Sequence, residues 1–137
     1  MRKVMIFGVF DGVHEGHRAL FREARNHGDH LVIAVAPDHI VRALKSHDPE
    51  LSLDERIALL LGEDLVDEVV AGDATLGSYD VVREHAPHAI VLGYDQTELK
   101  KDLEGKLYDA SWELTIVVAG SHEPEKYHNS LLSDKKN

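Results

Sequence analysis

Cysteine is absent from the 137-residue chain, which excludes disulfides and thiolate metal sites. Basic residues are in deficit: 15 lysines and arginines face 25 aspartates and glutamates, a formal net charge of -10 with histidine neutral. A nucleic-acid polymer is normally met by a basic face, so this balance argues against that partner. A small nucleotide needs only a few local donors and stays open. Long hydrophobic runs are missing too, and no segment approaches the roughly 18 apolar residues of a membrane span. The opening "MRKVMIFGVF" starts like a secretory leader, but Asp11 ends its apolar stretch and no small-residue cleavage site follows. Linkers and internal repeats are likewise lacking. At 43% hydrophobic residues the chain has enough apolar surface for a real core. One domain over 1–137 is expected, in the cytoplasm, with neither a membrane nor a nucleic acid as partner.

Five short apolar runs read as strands: Lys3 to Phe10, His30 to Ala36, Asp67 to Gly72, Ala89 to Gly93 and Glu113 to Gly120. They are nearly continuous rather than alternating, as strands buried on both faces of a parallel sheet are. Helical patterns lie between them. Leu20, Phe21 and Ala24 give an apolar side to a helix that starts near Glu15 and is expected to close on Gly28. "SLDE" at Ser52 to Glu55 is a capping-box signature that opens a helix through Leu60. Val81, Val82 and His85 mark a third, stopped by Pro87, and Leu99, Leu103, Leu107 and Ala110 trace a fourth. Alternating strands and helices imply an α/β fold: a three-layer, Rossmann-like open sheet of about five parallel strands with helices on both faces. Ligands of such sheets bind beyond the carboxyl ends of the strands, at a topological switch point.

The stretch "GVFDGVHEGH", Gly8 to His17, falls where the first strand turns into the first helix. A helix N-terminus offers unpaired N–H groups and partial positive charge to a phosphate. Gly8 and Gly16 let backbone approach a ligand closely. His14 and His17, three apart, project to the same side of the helix and would both face a phosphate there. "HEGH" lacks the i, i+4 spacing of a zinc-protease helix and no third ligand is evident, so no protein-held metal is expected.

This stretch resembles the G-T/N-F-D-x-x-H-x-G-H signature of the nucleotidyltransferase superfamily, the cytidylyltransferase-like proteins, and departs from it only at Val9. The resemblance implies nucleotide contacts from Gly8, Val9, Phe10, His14, Glu15, Gly16 and His17, with backbone N–H groups at Val9 and Phe10 on the phosphates. It also makes "ALKSHDPELSLDERIALL" the second region of the family. There Lys45, in a loop, would reach the triphosphate, and Arg56 would sit near the phosphates or anchor that loop. "VLGYDQ" matches a G-x-D loop that lies against ribose and base, which implicates Gly93 and Asp95. "DQTE" from Asp95 to Glu98 also reads as a helix N-cap, so Asp95 has two readings. The last family motif has its nearest match in "YHNSLL", where Tyr127 would pack near the base and Ser130 would touch a phosphate. The family's arginine and second hydroxyl are missing there. Residues 121–137 read either as a frayed tail or as a loop closing over the site.

The reaction implied needs no protein base, because a phosphate acceptor arrives ionised and attacks the α-phosphorus in line. His14, His17 and Lys45 would be the catalytic groups, with Mg²⁺ carried on the nucleotide phosphates. Gly12 and Val13 inside the motif, and "LGYDQ", resemble the small single-domain FAD synthetases of archaea, which transfer AMP from ATP to FMN. Cytidylyl transfer from CTP to glycerol 3-phosphate and adenylyl transfer to a sugar phosphate stay open. So does an ATP-binding protein without transferase activity. Members of the superfamily are often homodimers; no interface is legible in this sequence.

Overall fold

The computed structural model describes residues 1–120. Five strands, β1 (Lys3–Gly8), β2 (His30–Val35), β3 (Glu68–Ala71), β4 (Ala89–Leu92) and β5 (Thr115–Val118), alternate with α1 (Glu15–Arg25), α2 (Asp38–Lys45), α3 (Leu53–Leu61), α4 (Asp80–His85) and α5 (Thr97–Leu107). All strand pairs are parallel, in the order β3-β2-β1-β4-β5.

Successive side chains on a strand point to opposite faces, so each continuous apolar run feeds two cores. Val4 and Ile6 of β1, Leu31, Ile33 and Val35 of β2 and Val91 of β4 pack with Phe21 and Ala24 of α1 and Leu60 of α3. Met5, Val32, Ala34, Ile90 and Leu92 face the other way, onto Val81 and Val82 of α4 and Leu103 and Leu107 of α5. The register locks this division in place, since Val4 pairs with Leu31 and Ile6 with Ile33. A slip of one residue would turn every side chain to the wrong face. The result is the expected three-layer architecture.

Local differences have identifiable causes. Helix α1 ends at Arg25, and Asn26 caps it in a right-handed conformation, so Gly28 is not its terminator. Gly28 is needed for proximity instead, because a Cβ there would lie 2.6 Å from the Arg2 carbonyl oxygen. Helix α2 occupies a stretch that the sequence pattern left unassigned, with Ile40 and Val41 buried and Ser46 closing it in the left-handed conformation. Lys45 is therefore the last residue of a helix rather than part of a loop. Gln96, not Asp95, occupies the N-cap position of α5, and Ala110 lies beyond the end of that helix at Leu107. Tyr127, Ser130 and the rest of 121–137 lie outside the described residues. Among the described residues no helix is long and apolar enough to cross a membrane.

Strand order reverses at β1, which has β2 on one side and β4 on the other. The loops that leave the carboxyl ends of β1 and β4 thus flank a crevice at the switch point.

Candidate active site

The β1–α1 loop opens with a strained residue. Phe10 has φ 54°, in the left-handed region that a bulky side chain enters at a cost of about 1–3 kcal/mol. Its ring is buried against Phe21 and meets the His17 ring edge-on, with centroids 4.9 Å apart. The same ring lies over Gly8, where a Cβ would fall 2.5 Å from Phe10 Cε2. Gly8 is therefore required by the motif's own phenylalanine. The Val9 and Phe10 N–H groups make no hydrogen bond within the described residues, which leaves both as donors beside the crevice.

His14 is the N-cap of α1, with extended backbone. Its Nδ1 accepts the Gly16 N–H at 3.1 Å, and the Nδ1 of His17 accepts the His14 N–H at 3.2 Å. This is a reciprocal cap built from two imidazoles in place of the usual hydroxyl and carboxylate. The rings stack with centroids 3.8 Å apart and an angle of 20° between planes. A neutral imidazole that accepts at Nδ1 carries its proton on Nε2. Both histidines are thus locked in the tautomer that offers an Nε2–H to a ligand. Gly16 makes this stack fit, since a Cβ there would lie 2.9 Å from His14 Cε1. One helix-terminal donor, the Gly16 N–H, is engaged by this cap and is not free for phosphate.

Burial, then electrostatic repulsion from His14 and Arg18, pushes the His17 pKa down to about 4, with Glu63 opposing. His17 stays neutral through the physiological range, so its Nε2–H donor is permanent there. Glu15, beside it, is exposed and pairs with Arg18 at 2.8 Å.

Arg56 is fully buried. Its guanidinium donates to the carbonyls of Leu51 at 3.1 Å, Val9 at 2.8 Å and Ala36 at 2.8 Å, and to Asp38 Oδ1 at 2.6 Å. Four of its five N–H donors are thereby engaged inside the protein. Of the two roles expected for Arg56, the structure builds the anchor: the loops after β1 and β2 and the segment before α3 all hang from it. Asp11, a motif residue whose role the sequence did not disclose, accepts the N–H groups of Glu50 at 2.7 Å and Leu51 at 2.8 Å. Desolvation works against its charged form, but these two bonds, with Arg56 and His47, hold the carboxyl below the usual range. Asp11 thereby ties the segment that follows Lys45 to the motif loop. Lys45 is exposed at the end of α2, on the chain leading into that tied segment.

After β4 a tight turn is closed from both sides. Gln96 N–H donates to the Gly93 carbonyl at 2.9 Å, and Gly93 N–H donates to Gln96 Oε1 at 2.7 Å. A Cβ at Gly93 would lie 3.0 Å from Asp95 Oδ1, so the carboxylate folds back over the glycine. Asp95 is exposed and free of the capping role that the sequence left open for it. Because β1 and β4 are neighbouring parallel strands, this turn and the histidine pair leave the same edge of the sheet side by side. Among the described residues no three His, Asp or Glu side chains are placed to hold a metal ion.

The profile of the cytidylyltransferase-like family matches residues 5–131. The FAD synthase of Thermococcus sibiricus is 38% identical over 112 residues, 79% of this chain and 76% of that protein. The FAD synthase of Aciduliprofundum boonei is 42% identical over 104 residues, 76% of this chain and 68% of that protein. Among solved structures, the lipopolysaccharide core biosynthesis protein of Thermoplasma volcanium superposes with a TM-score of 0.79 at 33% identity, covering 86% of this chain and 95% of that one.

Proposed function

The chain belongs to the cytidylyltransferase-like family, and we infer that it is an FMN adenylyltransferase, moving AMP from ATP to the phosphate of FMN to give FAD and pyrophosphate. The observation that carries the chemistry is the imidazole pair at the switch point, with both Nδ1 atoms engaged by the backbone and both Nε2–H groups left as donors.

A phosphate monoester dianion attacks the α-phosphorus of ATP and forms a P–O bond, while the bond from that phosphorus to the α,β-bridging oxygen breaks and pyrophosphate leaves with that oxygen. No protein base is needed, which suits a site whose two histidines serve as donors. Negative charge grows on the α-phosphoryl oxygens and on the leaving group in this transition state. Two preorganised Nε2–H donors of His14 and His17 act on the first of these. The N–H groups of Val9 and Phe10 hold phosphate oxygens, and Lys45 acts on the leaving pyrophosphate. Gly93 and Asp95, on the adjoining strand end, receive the nucleoside, with the carboxylate accepting from ribose or base. Arg56 and Asp11 position these groups and do not touch the substrate.

A divalent cation such as Mg²⁺ would be held by the triphosphate rather than by side chains of this chain, and would supply charge neutralisation to the leaving pyrophosphate. The protein's donors around the histidine pair suit phosphate oxygen rather than a metal.

The test is pyrophosphate release with ATP or CTP, each crossed with FMN, glycerol 3-phosphate and a sugar 1-phosphate. Release with ATP plus FMN alone is expected. Release with another pair would keep the mechanism and overturn the acceptor. Silence in every combination, with ATP still bound, would make the chain a binding protein.

A further inference from the structure

One charged pair beside the histidines is not used by the chemistry above. Arg18, the residue after His17, donates from Nε to Glu63 Oε1 at 2.9 Å and from Nη2 to Glu63 Oε2 at 3.1 Å. Its Nη1 donates to Glu15 Oε2 at 2.8 Å. Glu63 follows Gly62, the C-cap of α3, and its side chain is 17% exposed, far less than the 76% of Glu15. The planar fork thus joins the first turn of α1 to the end of α3 with fixed geometry, which a lysine would not reproduce.

Three charged or titratable groups act on the His17 imidazole: His14 and Arg18 from its own helix, and Glu63 from the end of α3. Phe10, which packs on the ring, brings no charge. Glu63 alone of these favours the imidazolium, and its influence on His17 is mutual. An imidazolium would still donate, but a half-buried charge on His17 would strain the stack with His14 and the contact with Phe10.

We propose that Arg18 is a positioning residue for His17: through its two-bonded pair with Glu63 it seats the first turn of α1 and screens that carboxylate from the imidazole. This rests on the reading of His17 as a phosphate donor. Loss of the guanidinium removes one repulsive charge and uncovers the Glu63 carboxylate, the attractive charge that acts on the ring; both changes favour the protonated form, while the exposed Glu15, also released, stays in water. Loss of both members of the pair removes two opposed influences, and they cancel.

NMR titration of the His17 ring in the nucleotide-free protein reads this directly. In Arg18→Gln the His17 pKa is expected to rise by about one unit, a roughly tenfold increase in the imidazolium fraction at a given pH above it. In Arg18→Gln/Glu63→Gln it returns close to the parent value. An unmoved pKa in Arg18→Gln, or a shift that persists in the double variant, would overturn the proposal. Should Arg18→Gln fail to fold, Arg18→Lys carries the test: charge remains but the fork is lost, and a smaller upward shift is expected against none. The acid limb of kcat with ATP and FMN should move with the ring titration, which loss of helix packing alone would not produce. Failure of the donor reading shows separately, as full turnover in His17→Asn, and leaves the titration result standing.

Discussion

Arg56 and Asp38 form an ion pair at 2.6 Å in which the arginine side chain is wholly buried and the aspartate is 43% exposed. The asymmetry sets what each residue does. Arg56 also satisfies three backbone carbonyls under the β1–α1 loop, so removing it orphans four acceptors at once. Arg56→Met is expected to destabilise the protein by about 3 kcal/mol and to lower turnover, because the loop that carries Val9 loses its support. Asp38→Asn keeps an acceptor for the guanidinium and should cost about 1 kcal/mol. Urea unfolding of both variants checks the ratio; equal losses would mean that the carboxylate charge, not the carbonyl set, holds the arginine.

Gly16 sits inside α1, where alanine would ordinarily stabilise by up to about 1 kcal/mol. Here the added Cβ would press on the His14 ring at 2.9 Å from Cε1 and 3.1 Å from Nδ1. The ring must turn, and its Nε2–H moves with it. Gly16→Ala is expected to leave thermal stability within about 1 kcal/mol of the parent while lowering turnover by about tenfold, as misplacement of a single donor does. Steady-state kinetics beside a melting curve separates the two effects; unaltered turnover would show that the His14 ring position is immaterial.

Much of this site could be read before it was seen, and the reasons differ by residue. The five strands were legible because burial on both faces leaves unbroken apolar runs, and the first helix because its stripe follows a distinctive glycine and histidine motif. The anchoring role of Arg56 was not fixed by the sequence, since two of its acceptors are carbonyls 20 and 47 positions away and any residue supplies a carbonyl. Asp11 was opaque for the same reason, with backbone partners 39 and 40 positions distant. Helix α2 is not legible in the sequence because eight residues offer little periodicity, and Pro37 in place of a polar cap gives no start signal. The histidine cap is not legible in the sequence because imidazole is not among the usual N-cap side chains. The capping reading of Asp95 fails because Gln96 occupies the N-cap position, while the Gln96 side chain closes the β4 turn on Gly93.

Acid should act on this protein through His17. Its pKa of about 4 in the folded state lies below the 6.5 of a free imidazole, so between these values the unfolded chain binds more protons than the folded one. Stability is therefore expected to be level above about pH 6.5 and to fall as the pH drops towards 4. Asp11, with its carboxyl held below its ordinary 3.8, adds a further loss below that value as the pH falls through its folded-state pKa. Unfolding free energies measured at intervals from pH 8 to pH 4 check the first part, and His17→Asn should flatten that slope. A slope unchanged in that variant would assign the acid sensitivity to other groups.

The two nitrogens of each site histidine have been given separate work, and one substitution can divide them. An asparagine side chain can place its amide oxygen near the position of Nδ1 and has nothing at Nε2. His14→Asn should therefore keep the cap on Gly16, while His14→Ala loses it at about 1 kcal/mol of stability. Both variants lose the Nε2–H donor, and both should fall in kcat by about 100-fold or more, the usual effect of removing one oxyanion donor. His17→Asn is expected to behave like His14→Asn, since its Nδ1 does the same capping work on the His14 N–H. Such a result, stability restored by asparagine and turnover not, would place the fold on one edge of the imidazole pair and the chemistry on the other. Recovery of turnover with asparagine would instead mean that the histidines serve the helix alone, and the donors to the α-phosphate would have to be sought among the backbone N–H groups of Val9 and Phe10.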